Sequence, residues 1–166
     1  DIYFDIGANI GFHSLVASKY VGNTGKVYAF EPEEKNYNLL LENIKLNNVT
    51  NIIPINIAMS DETKIDILYK SNNNFGDHRL NPIIVDDVND HATTVEVNTM
   101  SLDDFITDKN IDPTLIKFIK MDVQGSEVRV LNGGKQFFNV YEPAILLEFS
   151  PYHLQFAGYS RSEEHT

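Results

Sequence analysis

Apolar and polar positions along this chain alternate between short hydrophobic runs and helical stripes. Residues 2–6 read as a buried strand, and Phe12, Leu15, Val16 and Tyr20 then recur at the spacing of one helix face. Residues 26–30 form a second apolar run and Tyr37, Leu40, Leu41 and Ile44 a second stripe, which Asn47-Asn48 can end with a left-handed stop. A third strand is expected over residues 52–57, outermost in its sheet, because Pro54 lacks the N–H that a central strand needs. Residues 65–69 and 94–97 alternate as antiparallel strands do, with a polar stretch and an Asn81-Pro82 turn between them. Ser101, followed by Asp104, can cap a short helix that turns Leu102, Phe105 and Ile106 inward. Residues 116–121 read as another buried strand ending at Asp122. Val128, Leu131 and Phe138 then mark a helix that Gly133-Gly134 bends, and residues 144–149 form a last strand. Strands alternating with helices predict an α/β fold with a doubly wound, mostly parallel sheet.

Two strand ends carry chemistry. The first strand runs into Asp5-Ile6-Gly7-Ala8-Asn9-Ile10-Gly11, where Gly7 and Gly11 let the backbone turn sharply and approach a ligand before a helix begins. The second ends in Glu31-Pro32, and a carboxylate there can accept hydrogen bonds from both ribose hydroxyls of a nucleoside. The dinucleotide fingerprint G-x-G-x-x-G sets a pyrophosphate on a helix N-terminus. Here the two glycines bracket Asn9 at a wider spacing, and Asp5 at the strand end would repel a pyrophosphate. A cationic ligand suits it better. S-adenosylmethionine carries a sulfonium and an α-ammonium and no phosphate, so it is the expected cofactor, held by Asp5, Gly7, Ala8, Asn9, Gly11, Glu31, Pro32 and Asp122.

Three blocks extend this reading: the glycine loop, Val27-Tyr28-Ala29-Phe30-Glu31-Pro32, and Lys120-Met121-Asp122-Val123-Gln124-Gly125-Ser126-Glu127. With the weaker echoes Ser101-Leu102-Asp103-Asp104-Phe105 and Leu147-Glu148-Phe149-Ser150-Pro151, the chain resembles the FkbM family of S-adenosylmethionine-dependent methyltransferases over nearly its whole length. The third block narrows the family. The resemblance implies a Rossmann-like class I methyltransferase sheet, here without the family's closing C-terminal strands, and methylation of a hydroxyl on a small molecule, sugar or glycan. One departure is Gln124, where the family usually has an acid; it removes a charge from the catalytic face.

Ligands of open α/β sheets lie beyond the carboxyl ends of the strands, which gathers Asp5, Glu31, Asp122 and Glu148 on one rim. Methyl transfer from a sulfonium is an in-line displacement, so alignment in a dry pocket comes first and removal of the acceptor's proton second. Asp122, Glu148 and His153 are the candidate catalytic groups, with Glu127 a further acceptor of that proton; His153 has the best-matched intrinsic pKa. His13, in the first turn after Gly11, can touch the cofactor or face solvent. Asp77, His78, Asp86, Asp87, Asp90 and His91 match no metal loop by spacing, so no metal is expected and the stretch reads as a polar loop. A nicotinamide-dependent oxidoreductase and a non-catalytic nucleoside-binding module are the competing readings. Glycine spacing and Asp5 count against the former, while Gln124 and the missing strands keep the latter open.

Length and charge bound the rest. The 166 residues fit one domain, expected over 1–160, and the stretch 161–166 resembles a translated adapter and is expected to be a non-native tail. Thirteen basic against 24 acidic side chains give a net charge of −11, which argues against a nucleic-acid partner. The chain has no cysteine for disulfides or thiolate zinc, and no apolar run spans a bilayer. A cytoplasmic location is expected, although a chain that starts at Asp1, inside its first strand, leaves an N-terminal targeting segment open.

Overall fold

The computed structural model describes residues 1–70, 78–80 and 93–148. Five strands make a parallel sheet: β1 (Ile2–Ile6), β2 (Lys26–Phe30), β3 (Ile52–Ile55), β7 (Ile116–Met121) and β8 (Ala144–Leu147), in the order β3-β2-β1-β7-β8. The strand order reverses between β1 and β7, where a doubly wound sheet opens a crevice at its carboxyl edge. As expected, β3 is outermost and β8 borders the other side of the described sheet.

Helices α1 (Phe12–Tyr20) and α2 (Glu34–Leu46) link the first three strands. The inward face of α2 follows the sequence pattern at three of its four positions: Leu40 is fully buried, with Tyr37 and Ile44 packed beside it, while Leu41 faces solvent. The face of α1 does not. Ser14, Ala17 and Ser18 are its buried residues, while Phe12 and Tyr20 are 69% and 86% exposed. Small side chains let this helix lie close to the sheet, and the Ser14 hydroxyl is drawn inward to donate to the Asp5 carboxylate at 2.5 Å. A buried polar bond outweighed the apolar stripe in setting the rotation of the helix.

The segment expected as one strand over 52–57 is divided. Asn56 Nδ2 donates to the carbonyls of Glu31 and Pro32 at 2.8 and 3.0 Å, which takes the chain out of the first sheet after Ile55. Ala58–Ser60 then forms β4 of a second sheet, parallel to β6 (Thr93–Ser101), which is antiparallel to β5 (Lys64–Lys70). The antiparallel pair was expected, but its separate sheet and β4 were not. Helix α3 (Leu102–Asp108) starts at the anticipated Ser101 cap, whose hydroxyl accepts from the Asp104 N–H. The expected bent helix is two pieces, α4 (Glu127–Gly133) and α5 (Lys135–Phe138).

The main core is aromatic. Phe4 and Phe105 both meet Tyr28 and Phe30 edge to face, at centroid distances of 4.8–5.7 Å, with Ile6, Ile119, Met121 and Val130 closing around them. This packing holds the carboxyl ends of β1, β2 and β7 in fixed relation. Among the described residues no helix is long and apolar enough to cross a membrane.

Candidate active site

The loop after β1 turns at Gly7, whose φ of +78° is left-handed. A Cβ there would stand 2.0 Å from the Asp122 carbonyl oxygen, so glycine is required by the approach of the β7 end. The N–H groups of Gly7 and Ala8 both donate to the Phe30 carbonyl at 3.1 and 2.9 Å, and the Asp122 N–H donates to Ile6 O at 3.1 Å. Three strand ends are thereby stitched together around one cleft.

Glu31 closes the cleft on the β2 side. It is 5% exposed, and its two carboxyl oxygens accept from the N–H groups of Asn9 at 2.8 Å and Glu33 at 3.0 Å. Burial pushes its carboxyl up to about 7, against the backbone hydrogen bonds that favour its charged form. The Asn36 side chain hydrogen-bonds the same carboxyl, so three donors of the protein already share its oxygens.

Between Glu31 and the β7 end lies a cleft open to solvent. Gly7, Asn9, Glu31, Pro32, Asp122 and Gln124 are in its wall, and Phe30, Met59, Leu68 and Leu80 supply an apolar surface. The sequence reading missed the contribution of the second sheet. It assigned His78 to a polar loop, yet His78 lines this cavity, because Arg79 bridges back to Tyr69 with N–H···O distances of 2.7 and 3.0 Å. The one clue was Arg79-Leu80, a short continuation of the β5 pattern after the polar stretch.

On the far side Asp122 and Glu148 come together. The Gln124 amide donates to Asp122 Oδ1 at 2.8 Å and to Glu148 Oε2 at 2.7 Å, from a left-handed backbone with φ of +52°. The expectation of a lost charge at Gln124 holds, and the neutral side chain bridges two acids. The Glu148 carboxyl is pushed up to about 7 by sharing its proton with Asp122 and by burial. Burial would raise Asp122 as well, but the hydrogen bond from Glu148, the Lys120 ammonium and the Gln124 amide hold it below the ordinary carboxylate range. Glu127, at the head of α4, accepts from the N–H groups of Val123 and Gly125 and braces the same loop; burial raises its carboxyl.

Other expected site residues stand elsewhere. Asp5 is fully buried beneath the glycine loop, its carboxylate turned to Ser14 and Lys120, so it is absent from the cavity wall where a cationic ligand was expected to meet it. Ala8 is buried, and Gly11 precedes α1 against Leu40. His13 is exposed beside the Phe12 ring. His153, Phe149 and the stretch 161–166 lie outside the described residues, as do Asp77, Asp86, Asp87, Asp90 and His91. Among the described residues no three His, Asp or Glu side chains gather to hold a metal ion.

A doubly wound sheet with a carboxylate after its second strand and a glycine turn after its first is the architecture of a Rossmann-like methyltransferase. The chain belongs to the methyltransferase FkbM domain family, which matches residues 5–165. It is 26% identical over 137 residues to the hexuronic acid methyltransferase AglP of Haloferax volcanii, covering 80% of this chain and 49% of that protein. The fold is shared with the crystal structure of methyltransferase FkbM from Methylobacillus flagellatus, with a TM-score of 0.61 and 20% identity over 92% of this chain and 33% of that one. The chain thus spans about half the length of the first relative and a third of the second.

Proposed function

We propose that this methyltransferase chain takes S-adenosylmethionine in the cleft and transfers its methyl group to a hydroxyl of a sugar, glycan or other small molecule. The observation that carries the reading is the convergence, around one apolar-walled cavity, of Glu31, the Gly7–Asn9 turn and the Asp122–Gln124–Glu148 group. The chemistry of the lining suits a nucleoside: Glu31 offers a carboxylate to a ribose diol, and Phe30, Met59, Leu68 and Leu80 offer an apolar surface to a base. Bound there, S-adenosylmethionine supplies an electrophilic methyl group on a sulfonium.

The residues of the chain do the remaining work. The turn at Gly7 and Asn9 orients the cofactor's amino-acid end, and the apolar wall excludes water. Asp122, ionised and 39% exposed at its side chain, puts a negative charge at the β7 end of the cleft, where a sulfonium is attracted. Methylation of a hydroxyl would release its proton. The Asp122–Glu148 pair, poised near neutral pH, receives it. A sugar acceptor is favoured by the similarity to a hexuronic acid methyltransferase.

Calorimetry with S-adenosylhomocysteine and with NAD, followed by a methyl-transfer assay on a panel of hydroxylated acceptors that includes hexuronic acid glycosides, tests this. Homocysteine-nucleoside binding and transfer to a sugar hydroxyl are expected. Preference for NAD would overturn the cofactor assignment, and binding without transfer to any acceptor would leave a nucleoside-binding module.

A further inference from the structure

Lys120 plays no part in the reading above, yet it is the most unusual side chain near the cleft. It lies on β7 and is 4% exposed, in a sheet whose other buried positions are nearly all apolar. Its Nζ donates to the Gly7 carbonyl at 2.8 Å and stands 3.3 Å from Asp5 Oδ1 and 3.7 Å from Asp122 Oδ2. A buried ammonium is costly unless paired and hydrogen-bonded, and here it reaches three oxygens on two strand ends. Since β1 and β7 border the point where the sheet order reverses, those oxygens flank the crevice itself.

We infer that Lys120 is a positioning residue that locks the Gly7 carbonyl and the Asp122 carboxylate into one rigid unit, so that the loop that orients the cofactor and the acid beside the transferred methyl keep a fixed separation. The inference rests on the proposed function. Charge bookkeeping supports it. Asp122 faces Lys120 on its own strand, Glu148 after β8 and Glu127 at the head of α4, while Asp5 lies on the far side of the ammonium. Apart from Lys120 these groups are all acids. With it, the negative charge of Asp5 is neutralised inside the protein and that of Asp122 is kept at the cleft. Without it, two carboxylates would meet across the β1–β7 seam, and Asp122 would take up a proton or swing to solvent.

The arrangement also explains why Asp5 can be buried. Ser14 donates to its Oδ2, and the Lys120 ammonium faces its Oδ1 as an ion pair without a hydrogen bond, so the acid of the glycine loop serves as the counterion of the ammonium. A lysine suits the task because its ammonium is a compact point charge that can stand close to a carbonyl and two carboxylates at once.

The test uses the full chain as wild type, Lys120→Met, and the pair Asp5→Asn with Lys120→Met, which removes both buried charges together. Two quantities are read: the titration of the Asp122 carboxyl by carbon-13 NMR without ligand, and S-adenosylhomocysteine affinity across pH 5–9 by calorimetry. In wild type, Asp122 should titrate below the ordinary carboxylate range. In the doubly substituted protein it should titrate at least one pH unit higher, with affinity down about tenfold and the circular dichroism spectrum retained. A second pair, Asp5→Asn with Lys120→Gln, keeps a donor for the Gly7 carbonyl; it should recover most of the affinity while Asp122 still titrates high. It also carries the test should the methionine pair fail to fold. Wild-type titration of Asp122 at the ordinary value, or unchanged titration and affinity in either folded pair, would overturn the inference. Failure of the wild type to bind S-adenosylhomocysteine would instead overturn the proposed function, and the ligand-free titration would still report on Lys120.

Discussion

At the scale of single residues, the cleft is governed by carboxyls that titrate at unequal pH. Glu31 is the clearest case, because a ribose diol donates to a carboxylate and gains far less from a neutral acid. With its carboxyl pushed up to about 7, S-adenosylhomocysteine affinity should be weakest in acid, rise toward pH 7 and level off above it. In Glu31→Gln that pH dependence should vanish, and affinity should fall by about 2–4 kcal/mol, the scale of two hydrogen bonds to a charged group. Calorimetry at several pH values checks both. The Asp122–Glu148 pair, in its proposed role, gives a kinetic counterpart. Glu148 must be ionised to take a proton, so the transfer rate should climb through about pH 7. Asp122→Asn removes the carboxylate that shares the Glu148 proton; turnover should drop roughly a hundredfold, the usual scale for a general base, with the inflection moved to lower pH. A pH–rate profile with undiminished turnover would show alignment alone to be sufficient.

At the scale of elements, glycines mark where two segments meet. Gly133 ends α4 against β4, and a Cβ there would stand 2.0 Å from the Ser60 carbonyl oxygen. Gly133→Ala should therefore push α4 from the second sheet and cost about 1–3 kcal/mol, the range for forced overpacking, as read from urea midpoints. The sequence presents the same glycine only as a weak point in a helix, because no local pattern tells which carbonyl it approaches. Strands bounded by chemistry are easier to read. β1, β2 and β7 each end in an acid or a glycine turn and lie where the apolar runs place them. β4 was hidden because Ile52 to Met59 is nearly continuous in hydrophobicity, and the divider, Asn56, acts through two long-range carbonyls. Likewise, the apolar stripe of α1 misjudged its inward face, since the deciding contact, Ser14 to Asp5, is polar. The places of Lys120 beside the cleft and of His78 in its wall were not legible for a related reason: they are set by partners distant in the chain.

At the scale of the whole molecule, stability should vary with pH in two opposing ways. A buried acid whose carboxyl is raised in the folded state stabilises the fold while both states are protonated and loses that contribution as pH climbs through the raised value. For Glu31 the loss runs from about pH 4.5 to about 7 and amounts to about 3 kcal/mol. Asp61 and Asp66, paired with Arg129, and Asp122 are held low; their contribution is present above the ordinary carboxylate value and disappears as pH falls through the depressed one. Unfolding midpoints in urea should accordingly peak in mildly acidic solution, below the pH at which the cofactor binds best. A midpoint that keeps rising from pH 5 to 8 would contradict the burial of Glu31.

The bond from Lys120 to the Gly7 carbonyl joins positions 113 apart in the chain, and this has a consequence for biosynthesis. The half of the cleft built on Glu31 is in place once β3 has been made, whereas β7 follows only after the whole second sheet and α3 have been translated. Contacts this distant in sequence close late and slowly. Until then the nascent chain carries Asp5 without its counterion and a glycine turn with nothing behind it, and the finished crevice arises in a single late docking of β7 against β1.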